Sequence, residues 1–121
     1  MTMNLSSAVF YTNDIEAVIK FYRDVIGFKV EYIQEGRFVS FIFENGAKLG
    51  IRQKNPAEAH HEVPGYQTVF ISVDDAQKTY DELVAKGVEI YREINTLKGW
   101  GTNFQILDAD KNKVAFVELE K

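Results

Sequence analysis

The chain has no cysteine. Disulfides, thiolate nucleophiles and thiolate metal sites are excluded together. Two prolines and two histidines are present, and all four fall within one short stretch, Lys54 to Pro64 (KNPAEAHHEVP). No apolar run approaches a membrane span, and the N-terminus (MTMNLSSAVF) has no basic region ahead of an apolar one, so a cytoplasmic protein without a membrane partner is expected. The basic residues are scattered and the formal net charge is −4, which leaves no electrostatic footprint for nucleic acid.

What is there is ordinary in balance and rich in rings. At 121 residues, 45% hydrophobic and 26% charged, the chain is long enough to bury a core as one domain, 1–121. Nine Phe, six Tyr and one Trp supply large buried area, a ring-lined pocket, or both.

One motif is used twice. Asn13 to Val30 runs through about three helical turns, stops at Gly27 and resumes as an extended apolar segment, and Asp74 to Ile90 does the same around Gly87. In the first copy Asn13 is placed to cap the helix, with Glu16 three residues on for a capping box. Ile15, Val18, Ile19, Tyr22, Val25 and Ile26 then share a face. In the second, Asp74 or Asp75 caps, and Ala76, Tyr80, Leu83 and Val84 form the buried stripe.

Strands are predicted at Leu5 to Thr12, Phe28 to Gln34, Arg37 to Phe43 and Lys48 to Gln53, the middle ones joined by the Glu35-Gly36 and Asn45-Gly46 turns. Tyr66 to Val73, Val88 to Ile94, Asn103 to Leu107 and Lys113 to Glu118 repeat the series, the last turn being Asp108 to Asn112. The expectation is an α+β fold of two tandem βαβββ modules (about 4–53 and 65–120, linker 54–64). Together they would form a curved, mostly antiparallel eight-stranded sheet, helices outside and a concave binding cleft within. One helix covers one face of each sheet, and the other face is a binding site by default.

These residues resemble the vicinal oxygen chelate superfamily, which includes glyoxalases, extradiol dioxygenases and bleomycin-resistance proteins. The resemblance rests on D-x-x-x-x-x-x-F-Y-R-D-V-x-G-F (Asp14 to Phe28), on G-Y-Q-T-V-F-I-S-V-D-D (Gly65 to Asp75) and on D-A-D-K-N-K-V-A-F (Asp108 to Phe116). Enzymes of that group hold a divalent metal with His and Glu from four strands. The corresponding positions here are Ser7, Gly50, Thr68 and Ala115, none a usual ligand for such an ion. No His, Asp or Glu lies within two residues of any of them, and Glu118, three from Ala115, points to the opposite face of its strand. His60 and His61, beside Glu58 and Glu62, read as a solvated linker. Asp74-Asp75 and Asp108/Asp110 read as caps and turns.

The stretch from Trp100 to Phe116 is most similar to the bleomycin-resistance branch, whose members lack the metal ligands, dimerise and sequester a drug in aromatic crevices. Ala109 and Lys111 stand where that branch usually has proline and glycine. The resemblance implies a homodimer, antibiotic resistance as one setting, no metal and no other cofactor, and no catalytic residue. The expected ligand-binding set is the four ligand-equivalent positions with the neighbours that strand alternation adds, the wall candidate Phe38 and the loop ring Trp100: Ser7, Val9, Phe38, Lys48, Gly50, Arg52, Thr68, Phe70, Trp100, Lys113 and Ala115, with Val117 beside them. Phe41, Phe43, Tyr32 and Tyr91 are further wall candidates. Trp100, between Gly99 and Gly101, either stacks on a flat ligand or plugs one end of the core. The Ser, Gly, Thr and Ala at the ligand positions are expected to leave a larger, less polar space. The leading function is metal-independent binding of a small aromatic or hydrophobic molecule. The alternatives are a metal-dependent glyoxalase- or dioxygenase-type enzyme with displaced ligands, and a protein-interaction or regulatory module.

Overall fold

The first strand, β1 (Ala8–Thr12), begins three residues later than predicted, in a computed structural model that describes residues 1–119. Ala8, opposite Leu49, is the first residue to pair with β4, and residues 5–7 take no part in the ladder. The chain divides into two compact units, Met1–Gly65 and a second beginning at Tyr66. The predicted end of the second module at 120 lies outside the described residues.

In the first unit β1 is followed by α1 (Ile15–Ile19), a π-helical segment (Lys20–Ile26), β2 (Val30–Gln34), β3 (Phe38–Ile42) and β4 (Lys48–Gln53). The sheet order is β1-β4-β3-β2, with β1 parallel to β4 and the other two pairings antiparallel. The parallel pair requires a long crossover, which the helix and the meander provide. Asp14, not Asn13, caps α1; its carboxylate accepts from the Ala17 N–H at 3.1 Å. Asn13 is one residue too early, and its carbonyl instead accepts from the Gln53 amide at 2.9 Å.

Ile15, Val18, Ile19 and Tyr22 are buried as the spacing predicts, whereas Val25 and Ile26 are only half-buried. From Lys20 the helix widens, and the Gly27 N–H reaches back five residues to the Tyr22 carbonyl at 3.0 Å, so the apolar stripe no longer keeps a period of 3.6. Gly27 then takes φ 96°, the left-handed turn that ends the helix. Tyr22 is fully buried between Phe28 and Phe41, ring centroids 5.5 and 5.8 Å away, and this trio with Val39, Leu49 and Ile51 is the core of the unit.

The second unit repeats the plan with β5 (Thr68–Ser72), α2 (Ala76–Ala85), β6 (Glu89–Leu97), β7 (Gly101–Leu107) and β8 (Lys113–Leu119), in the order β5-β8-β7-β6. β5 runs parallel to β8, and β8/β7 and β7/β6 are antiparallel. All eight predicted strands are thus present, as two four-stranded open sheets. β6 and β7 extend toward each other beyond their predicted ends, which shortens the loop carrying Trp100 to a tight turn. Asp75 caps α2 by accepting from the Lys78 N–H at 3.0 Å. Ala76 and Leu83 are buried and Tyr80 is half-buried against Phe104, but Val84 is exposed, because the contacts of α2 with the sheet use the adjacent Leu83. Phe104 stacks on Phe116 at 5.0 Å, with Ile106 and Val114 completing the core.

The two helix starts are built alike. The first N–H of α1, Ile15, donates to the Gln53 side chain at the end of β4, and the first N–H of α2, Ala76, donates to the Glu118 carboxylate near the end of β8, both at 2.9 Å. Glu118 therefore faces α2, away from Ala115, as its odd spacing implies.

Candidate functional site

Register decides which side chains look away from the helices. On β4, Leu49 and Ile51 face α1, so Lys48, Gly50 and Arg52 take the other side, together with their partners Ile42, Ser40 and Phe38 on β3 and Val9 and Tyr11 on β1. Tyr32 and Gln34 on β2 join that face through Ser40 and Phe38. Val9, Phe38, Lys48, Gly50 and Arg52 are accordingly brought together on one surface. Ser7 precedes β1 with the same parity and makes no ladder pair.

A cavity of about 960 Å³ opens at one end of this face. Its lining is Val9, Tyr11, Gln34, Gly36, Arg37, Phe38, Arg52, Gln53, Lys54 and Asn55. Tyr11 was within reach of the alternation that finds Val9 and Arg52. Arg37, Gln53, Lys54 and Asn55 were not, since they converge through two backbone bonds between chain segments distant in sequence. The Gln53 N–H donates to the Arg37 carbonyl at 2.7 Å, and the Lys54 N–H to the Thr12 carbonyl at 2.9 Å.

Gly50 does not enlarge the space as expected. A Cβ at Gly50 would lie 2.9 Å from Cε1 of Phe38 and 3.3 Å from Cγ2 of Val9, so the Phe38 ring occupies the volume a metal-binding side chain would need. Further along the strand, Lys48 is paired with Glu31 at 2.9 Å, and the Ser40 hydroxyl donates to the same carboxylate at 3.1 Å. The Lys48 ammonium, hydrogen-bonded to Glu31, holds that carboxyl below its usual range, with partial desolvation opposing.

In the second unit Thr68, Phe70, Lys113, Ala115 and Val117 share the face opposite α2. Phe70 is 60% exposed, and Trp100, 46% exposed, meets it edge-to-face at 6.3 Å. Trp100 therefore does not plug the core. Lys113 lies over the Tyr91 ring at 4.3 Å. Of the wall candidates, Tyr32, Phe38 and Tyr91 lie on helix-opposite faces, whereas Phe41 is packed under the helix and Phe43 leans on Phe28 at 5.0 Å.

Among the described residues no three His, Asp or Glu side chains converge on a point. His60 and His61 are exposed, and the Glu62 carboxylate accepts from the Asn55 N–H at 3.0 Å. A divalent ion finds no fit at the four aligned positions: Gly50 is covered by a ring, Ala115 offers a methyl, and Ser7 and Thr68 offer neutral hydroxyls.

Two open four-stranded sheets, each with one parallel pair and one helix, make this a duplicated βαβββ protein of the α+β class. The sequence pattern of the Glyoxalase/Bleomycin resistance protein/Dioxygenase superfamily matches residues 4–116, and the chain belongs to that superfamily. Lactoylglutathione lyase of Haemophilus influenzae is 26% identical over 125 residues, which span 96% of this chain and 93% of that one. Among solved structures, the antibiotic binding protein TnmS3 of a Streptomyces species superposes with a TM-score of 0.83 at 18% identity, covering 98% of each chain. Lactoylglutathione lyase from Agrobacterium tumefaciens superposes with a TM-score of 0.78 at 19% identity, covering 98% of this chain and 95% of that one. No helix among the described residues is long and apolar enough to cross a membrane.

Proposed function

We propose that this protein binds a small organic molecule with a flat ring, and that it does so without a metal and without altering it. The observation that carries the reading is the cavity of the first unit, where Tyr11 and Phe38 flank Arg52 and no set of donors suited to a catalytic ion is at hand. Rings on the walls favour a planar ligand. Phe70 and Trp100 form a second exposed ring pair with the same preference. TnmS3, described as an antibiotic binding protein, makes antibiotics one class worth testing. A homodimer in the cytoplasm is the form in which we expect it to act.

Calorimetric titration with a panel of aromatic drugs and metabolites, in chelator and without it, tests the proposal. Binding should be unchanged by chelator and should fall at least about tenfold in Phe38→Ala, the loss expected when a buried ring contact is removed. A second reading, an enzyme of the lactoylglutathione lyase kind, is favoured by the similarity to the Haemophilus protein along 96% of the chain. Stoichiometric nickel, zinc, iron or manganese in the purified protein, with turnover of a hemithioacetal or a catechol, would establish that reading and overturn the first.

A further inference from the structure

Arg52 stands between two rings with no counter-charge among the described residues. Its register partners on the neighbouring strands are Tyr11 and Phe38, and all three line the cavity of the first unit. Arg37 and Lys54 line it too, drawn in by the backbone bonds that tie the start of β3 to the end of β4 and the end of β4 to β1. Three basic residues thus contribute to the lining of one space, and no Asp or Glu is among its lining residues. The ion pairs among the described residues engage Arg23, Lys48 and Lys111, not these three. Lys48 supplies the contrast within one strand: it shares a face with Arg52 and is neutralised by Glu31. The chain as a whole carries a net charge of −4, so the grouping does not follow from an abundance of bases.

Like charges held together repel, and the repulsion is relieved when an anion enters. A guanidinium meets a carboxylate through two parallel N–H···O bonds, and the flanking rings present flat faces to whatever the anion is attached to. We propose that the cavity takes an aromatic carboxylate, its ring against Phe38 and Tyr11 and its charged group on Arg52, with Arg37 and Lys54 at the rim. The inference rests on the cavity being a ligand site, as proposed above, and adds the charge that the ligand must carry.

Three probes of one shape and different charge separate the two claims: naphthoate, naphthalenemethanol and naphthylmethylammonium, each titrated calorimetrically into the full chain. Naphthoate should bind about tenfold or more tighter than the alcohol, as a charge-assisted bidentate pair provides. The ammonium should be the weakest, and added salt should erode the naphthoate advantage. Arg52→Gln should abolish the advantage of naphthoate over the alcohol, since the bidentate pair is then lost. The same charge change at a distance, Lys78→Gln on α2, should leave all three affinities as they were. If melting curves show Arg52→Gln to be unfolded, the Arg37→Gln/Lys54→Gln double variant replaces it and should reduce the advantage. Equal binding of naphthoate and alcohol, with both lost in Phe38→Ala, overturns the anion inference and leaves the cavity as a ligand site. Failure of all three probes overturns both.

Discussion

Lys111 holds its backbone at φ 68° in the β7–β8 turn, the left-handed region in which an L-residue is disfavoured by roughly 1–2 kcal/mol relative to its right-handed geometry. The turn imposes it. Asp108 Oδ1 accepts from the N–H groups of both Asp110 and Asn112 at 2.9 Å, and the loop closes only if residue 111 bends left. The family resemblance puts glycine at this position, and its conformational freedom is the reason. What lysine offers in return is an exposed ion pair with Glu89 at 3.1 Å, a contact worth under about 1 kcal/mol. Lys111→Gly is therefore expected to raise stability by about 0.5–1 kcal/mol, seen as a midpoint a few degrees higher in thermal melts followed by circular dichroism. A lower midpoint would mean that the Glu89 contact outweighs the strained backbone.

At the scale of elements, each helix begins on a side chain from the far end of its own module. Gln53 and Glu118 accept the first helical N–H, while Asp14 and Asp75 accept the one two residues further in. Gln53→Ala and Glu118→Ala should each cost about 1–2 kcal/mol in urea melts, the usual loss for an orphaned helix-terminal donor that is partly shielded from water. The two should add, since the sites lie in separate units. These couplings span tens of residues and have no local signature, so the sequence shows the helices and not what anchors them. Strands and helices were legible because alternation and helical spacing are local, and because Gly27 and Gly87 mark the same stop twice. Asn13 reads as the cap because Asn, Asp and Ile follow one another, and only geometry says which precedes the first turn. The widened half of the first helix was invisible because Tyr22 satisfies either winding. Of the site, the parity of Val9, Gly50 and Arg52 could be read, whereas the positions of Phe38 over Gly50 and of Arg37 and Lys54 around the cavity depend on how turns close.

At the scale of the whole molecule, two carboxyls of the first unit couple its stability to pH. Asp24 is held below its usual value by the hydrogen bond from Arg23, and Glu31 by that from Lys48. A carboxyl depressed in the folded state contributes stability that is complete above its unfolded value and fades as pH falls through its folded one. The midpoint of thermal unfolding should thus be level from neutrality to about pH 5 and decline below about pH 4. Lys48→Gln should shallow that decline; an unchanged acid limb would show that Glu31 keeps no pairing in solution. The parallel pairing of β1 with β4 has a consequence during synthesis. Ala8 leaves the ribosome before Leu49 and finds its neighbour only when that residue has followed, and Thr68 waits in the same way for Lys113. Each half must hold an unzipped edge open until its own last strand is made, so nascent chains cut short before Gln53 or before Glu118 should be the ones that chaperones retain.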